Sequence, residues 1–202
     1  MPYPKFWTPD KLGKLKSLYD SGLGMQEVAN EFRTTLGSIN HVMRRANIPR
    51  RKANITNHLR FMRSPKSFTA KINLTESEKQ LKIAGLMLYW AEGAKRNSKC
   101  VDLANSDPDM IKLFIRFLRT IYCVDESKFR IYLYTFPSLP MEKTMQFWSD
   151  LTKVPISQFS KPYVRIAANQ VHDKMPHGLV HVRYADIRLL QQIMIGIGQI
   201  KG

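Results

Sequence analysis

Nine consecutive uncharged, mostly apolar residues, Ile83 to Ala91, closed by Glu92 and Gly93, constrain this chain more than any other feature. Thr75-Glu76-Ser77-Glu78 precedes the run. Thr75 is a good N-cap, and Glu76 and Glu78 favour a first turn, where the helix dipole attracts negative charge. Gly93 suits the left-handed position that ends a helix. The pattern predicts one helix over about residues 76–93. Glu92 then falls in the last turn, where the dipole opposes a carboxylate by roughly 0.3–1 kcal/mol. An acid placed there points to another reason for its presence. Lys95, Arg96 and Lys99 follow directly and are suited to holding phosphates beside it.

Charge narrows the partners. The chain of 202 residues carries a formal net charge of +16, with a pI near 10.0. That points to a polyanion, with nucleic acid ahead of an anionic membrane surface and no small-molecule substrate expected. The length allows one large domain or two small ones, and a hydrophobic share of 44% supports sizeable cores. No segment reaches the roughly 20 apolar residues of a membrane span. The Met-Pro-Tyr-Pro-Lys start lacks the apolar stretch of a signal peptide. Cys100 and Cys123 have no metal-type pairing, so a reducing cytoplasm is the expected compartment, in association with DNA.

Residues 1–49 read as a three-helix unit. Thr8-Pro9-Asp10 is a strong helix start. Leu12, Leu15, Leu18 and Tyr19 repeat at helical spacing, and Gly22 to Gly24 stop the helix. Met25 to Phe32 forms a short second helix with Val28, Ala29 and Phe32 inward. Thr34 or Thr35 caps a third, Leu36 to Ala46, anchored by Ile39, Val42 and Met43, and Pro49 bars continuation. The unit resembles the helix-turn-helix domains of resolvases and related regulators, including the closing Ala46-Asn47-Ile48-Pro49-Arg50-Arg51. The resemblance implies that the third helix enters the major groove, exposing Thr35, Ser38, Asn40 and His41, with Arg44 and Arg45 at its end. A three-helix protein-binding module is the alternative. Residues 50–75 hold seven Arg or Lys, including Arg50, Arg51 and Lys52, and no acid. Such a segment is expected to act as an extended arm tracking phosphates, with a short helix at Asn54 to Met62.

From residue 76 to 202, alternating helix and strand signals predict an α+β domain. After the apolar helix come a strand at Cys100–Ala104, an amphipathic helix at Asp109–Tyr122 capped by Asp107 or Ser106, and a strand at Lys128–Phe136. In that strand Phe129, Ile131 and Leu133 alternate with Arg130, Tyr132 and Tyr134. Pro140 opens a further helix. Lys161–Ala167 and Gly178–Ala185 read as two more strands, and Asp186 to about Ile197 as a last helix. The apolar helix has no second copy in the chain.

Gly85 to Gly93 resembles the nine-residue signature of the LAGLIDADG homing endonucleases, with Glu92 at its second acidic position and Gly93 at its closing glycine. Gly85 stands where the family has Leu, and Trp90 at the variable first acidic position. The similarity extends through Asn105-Ser106-Asp107-Pro108 and covers 76–202. It implies a mixed helix and antiparallel-sheet domain that cleaves double-stranded DNA with Mg²⁺ or another divalent cation. Glu92 is then catalytic and the metal ligand, with Lys95 beside it and Asp102 as the best supporting acid. A single-motif chain needs a second Glu92 from a symmetry mate. The resemblance therefore implies a homodimer through the stripe of Ala84, Leu88 and Ala91, where the small alanine side chains let two helices approach. It also implies that the sheet cradles the duplex, through Arg130, Tyr132, Tyr134, Lys161, Arg165, His181 and Arg183. The alternatives are a non-cleaving transcription regulator built from the same parts and, less favoured, an RNA-binding splicing cofactor. His172, Asp173, His177 and His181 suggest zinc only weakly, because they straddle a loop and a strand and both cysteines are distant. No nucleophile elbow and no phosphate-binding glycine loop are present.

Overall fold

The structure, a computed structural model, describes residues 6–96, 98–165 and 175–201. The chain divides into two compact units, Met1–Pro65 and Lys66–Gly202.

In the first unit, α1 (Pro9–Asp20), α2 (Met25–Glu31) and α3 (Leu36–Arg45) form as their caps dictate. Thr8 Oγ1 accepts from the Lys11 amide, and Thr35 Oγ1 from that of Ser38 at 3.2 Å. Arg33 turns the chain between α2 and α3 with a left-handed φ of 49°. Leu15, Tyr19, Val28, Ala29, Ile39, Val42 and Met43 make the core together with Trp7, whose ring lies 5.2 Å from that of Phe32. A fourth helix, α4 (Ala53–Arg63), belongs to this unit. Glu27 of α2 accepts from Arg63 at 3.0 Å and lies 3.7 Å from Arg60. The first half of the basic segment thus holds the short helix expected at Asn54 to Met62, one residue longer at each end, and is tied to α2 rather than extended. Opposite charges on α2 and α4 relieve the repulsion that was to keep it open.

The second unit also absorbs the other half of that segment. Thr69 and Lys71 donate backbone hydrogen bonds to Tyr122 and Ile121, and Phe68 is buried. Lys71 then pairs with Glu78 at 2.6 Å. Thr75 and Glu78 form a reciprocal cap that starts α5 (Glu76–Glu92). The helix ends at Gly93, but not in the left-handed conformation expected of it: its φ is −76° and its ψ 148°. Glycine is needed there for space, since a Cβ would stand 2.5 Å from the Tyr89 ring and 2.6 Å from its carbonyl.

Next come β1 (Val101–Asn105), α6 (Pro108–Tyr122), β2 (Phe129–Thr135), α7 (Met141–Thr152), β3 (Tyr163–Val164), β4 (Leu179–Tyr184) and α8 (Ile187–Lys201). Asp107 caps α6 by accepting from Asp109 and Met110. The sheet order is β1-β4-β2-β3. β4 runs antiparallel to both neighbours, whereas β3 is parallel to β2. The sheet is therefore mixed rather than antiparallel, because α7 carries the chain across before β3 joins, as a parallel pair requires. β3 covers only two residues of the strand expected at Lys161–Ala167, of which 166 and 167 lie outside the described residues.

One sheet face is apolar. Val101, Leu103, Phe129, Ile131, Leu133, Val180, Val182 and Tyr184 share a core with Leu86 and Tyr89 of α5, Phe114 and Phe117 of α6, Trp148 of α7, and Leu189 and Ile193 of α8. The result is a two-layer α+β unit with its helices on that face. At Gly85, α5 comes so close to α6 that a Cβ would stand no more than 2.6 Å from three ring carbons of Phe117. A leucine has no room at this position, which explains the glycine there.

Candidate nucleic-acid interface

Strand alternation sends the other residues of β1, β2 and β4 to the opposite sheet face. The register sets them in rows: Asp102, Arg183 and Arg130; then Ala104, His181 and Tyr132; then Leu179, Tyr134 and Tyr163. Arg130, Tyr132, Tyr134, His181 and Arg183 therefore share one face, as the alternation predicts. Among the described residues no helix packs over it, and Arg130, Tyr134 and Tyr163 are exposed. Lys161 and Arg165 flank β3 and are exposed too, Arg165 lining a cavity of 150 Å³ with Tyr134 and His181.

Asp102 organises this face. It is 8% exposed. Its two oxygens meet His181 Nδ1 at 2.9 Å and Arg183 Nε at 2.6 Å. Burial pushes its carboxyl up, but the bonds and charges of His181 and Arg183 outweigh burial and hold it below the usual carboxylate range. An ionised carboxylate only accepts, so His181 Nδ1 carries the hydrogen of this bond. Arg183 in turn lies 4.3 Å from the centre of the Tyr132 ring. With both oxygens engaged, Asp102 is no free ligand beside Glu92, which corrects the supporting role expected of it.

Tyr89 pins the end of α5 to this sheet. Its hydroxyl donates to the Ala94 carbonyl at 2.7 Å and accepts from the Asp102 amide. Burial raises its own pKa to about 12, so it stays a neutral donor. Gly93 bridges to Leu103 of β1. Glu92, the residue before that bridge, is exposed, and its carboxylate makes no hydrogen bond or ion pair among the described residues. Lys95, expected beside it as a catalytic residue, turns back and donates to the Trp90 carbonyl at 2.7 Å, relieving an orphan acceptor of the helix end. Arg96 and Lys99 are exposed in the loop that follows. Along α5, Ile83, Ala84, Met87, Trp90 and Ala91 form an exposed apolar face, the first 54% accessible. Leu88 is half-buried and packs against the core rather than lying fully on that face.

In the first unit, Ile39, Val42 and Met43 point inward, leaving Gly37, His41 and Arg44 exposed and Ser38, Asn40 and Arg45 partly so. Thr35 is exposed, although its hydroxyl also caps α3. Arg50 and Lys52 are exposed. Arg51 is not a surface cation. Its guanidinium stacks 3.9 Å from the centre of the Tyr19 ring and bonds to the Tyr19 and Leu23 carbonyls, while its amide donates to the Tyr19 hydroxyl. Its role in the DNA-contacting set is corrected to that of a clamp between α1 and the chain leading to α4.

The zinc pattern does not assemble. His177 stacks on Phe147 at 3.6 Å between centroids, His181 is held by Asp102, and His172 and Asp173 lie outside the described residues. No cluster of three or more His, Cys, Asp or Glu suited to a metal occurs among the described residues, and no described helix is long and apolar enough to cross a membrane. Sequence reading missed Tyr163 and the central part of Asp102. A lone acid inside Val101-Asp102-Leu103 was the available signal for the latter; two residues of β3 offered too short a pattern for the former. Comparison with known protein families, curated proteins and solved structures found no match.

Proposed function

We propose that the chain is a site-specific DNA-binding protein. In this reading α3 of the first unit docks in the major groove, and the open sheet face of the second unit lies on a duplex. The second unit is read as LAGLIDADG-like, pairing with a second copy through α5 and cleaving both strands. The observation that carries the reading is the gathering of Arg130, Tyr132, Tyr134, His181 and Arg183 on one sheet face that no helix covers among the described residues, in a chain of net charge +16. Arginines there engage phosphates and base edges, and tyrosine and histidine add polar contacts. The exposed apolar face of α5, around Ile83, Ala84 and Met87, is suited to burial against its own copy.

Glu92 fits a divalent cation such as Mg²⁺ as one half of a shared site. It is exposed, it has no competing partner among the described residues, and Mg²⁺ takes one or two carboxylates with water and phosphate oxygens. When bound, the ion activates water and stabilises the departing oxygen. The chain's part is to hold the duplex on the sheet face and bring each Glu92 to it. The test is cleavage of a plasmid library with Mg²⁺ by wild type and Glu92→Gln. Wild type is expected to cut at discrete sites, and the variant to bind those sites without cutting. Equal cutting by the variant refutes the role of Glu92. Binding without cutting by wild type favours the non-cleaving regulator, a reading supported by Asp102 being tied to His181 and Arg183 rather than free beside Glu92.

A further inference from the structure

Across the open sheet face runs a continuous row of rings. Tyr134 on β2 stands 5.4 Å from Tyr163 on β3 and 5.1 Å from His181 on β4, at interplanar angles of 53° and 43°. The rings are tilted, so none covers another by parallel stacking. Tyr163 is 60% exposed and Tyr134 36%. Large aromatic groups left in water on one face, beside cations, mark a binding surface. Beside the row sits the 150 Å³ cavity, whose lining includes Tyr134, Phe136 and Leu179 and the polar Thr135, Arg165 and His181. His181 is held in place by Asp102 through Nδ1.

Fully paired DNA has little use for such a row. Its base faces are stacked on one another, and only base edges and phosphates reach the grooves. An unpaired base offers both a free π-face and a free Watson–Crick edge. We infer that the Tyr163–Tyr134–His181 row, with its adjoining cavity, is a stacking site for unpaired nucleobases. The second unit then prefers nucleic acid carrying flipped-out or single-stranded bases to perfect duplex. Arg165, Arg130 and Arg183 hold the phosphates that flank the splayed base. The inference rests on the nucleic-acid reading above and specifies what that face takes.

The test uses the full chain and fluorescence anisotropy at one salt concentration. Two labelled duplexes of equal phosphate number are compared, one fully paired and one with an unpaired bulge. Base stacking on an aromatic side chain should make wild type bind the bulged duplex more tightly by about 5-fold to 100-fold. Tyr134→Ala should collapse the ratio of the two affinities toward one, and Tyr134→Phe, which keeps the ring, should preserve it. Unlabelled single strands of DNA and RNA should both displace the bulged duplex, the better competitor identifying the sugar. Equal wild-type affinity for the two duplexes overturns the inference, as does a Tyr134→Ala variant that keeps the ratio, or single strands that fail to compete. Such results leave duplex binding intact. Failure to bind any of these nucleic acids would instead overturn the broader reading together with this one.

Discussion

Replacing Gly85 by alanine separates helix propensity from packing in one experiment. In an unconstrained helix interior, Gly→Ala gains up to about 1 kcal/mol. At Gly85 the new methyl would stand no more than 2.6 Å from three carbons of the Phe117 ring. Carbon atoms rest at about 3.5–4.0 Å, so ring or helix must move by roughly 1 Å or more. Phe117 is fully buried. It contacts the rings of Phe114 and Tyr122 at 6.1 Å and 5.4 Å, so it has nowhere to go. Overpacking of this kind costs about 1–3 kcal/mol, and the geometry argues for the upper end. Subtracting the propensity gain leaves about 2 kcal/mol of net destabilisation. In urea, with a slope of about 2 kcal/mol/M for a small unit, the midpoint should fall by about 1 M. Buried Trp148 supplies the fluorescence signal for this unit. Gly13 of α1, whose added Cβ meets nothing within 4 Å, is the control, and Gly13→Ala should stabilise the first unit. Combining Gly85→Ala with Phe117→Leu should recover part of the loss, because leucine lacks the rigid ring. A Gly85→Ala protein whose midpoint holds or rises would refute the close approach of α5 to α6.

Arg51→Lys keeps the charge but loses the planar stack on Tyr19 and the forked bonds to the Tyr19 and Leu23 carbonyls. It should destabilise the first unit by about 1–3 kcal/mol in denaturant titration while leaving the salt dependence of DNA binding unchanged; a matching loss of stability from Arg44→Lys would argue against the clamp. For Asp102, the folded carboxyl is held below its ordinary value by His181 and Arg183 in spite of burial. Its contribution to stability is therefore complete above the unfolded value of about 3.9 and is lost as pH falls through the lower folded value. Asp102→Asn should lower stability at neutral pH and flatten the acid side of the stability curve below about pH 4, measured by urea midpoints across pH; an acid limb as steep as wild type would sink that assignment.

Local signals in the chain determined a good deal. Thr8, Thr35, Thr75 and Asp107 mark the helix starts that the structure uses, because a cap depends only on a side chain and the amides two or three residues on. Strand alternation assigned Arg130, Tyr132 and Tyr134 to one face before any partner strand was known, since successive side chains on a strand must point opposite ways. What no local signal carried was which distant groups meet. Asp102 and His181 are 79 residues apart, and only their register on β1 and β4 makes a buried acid the organiser of the face. Arg51 looked like one more cation of a basic arm until the fold set it on Tyr19, 32 residues away. Gly93 follows the same logic: its composition suggested a left-handed cap, and the nearness of Tyr89 required a missing Cβ in extended backbone instead. Helix starts and strand faces depend on neighbours along the chain, whereas pairings, clearances and the identity of a free charge depend on neighbours in space, which exist only once the core has closed.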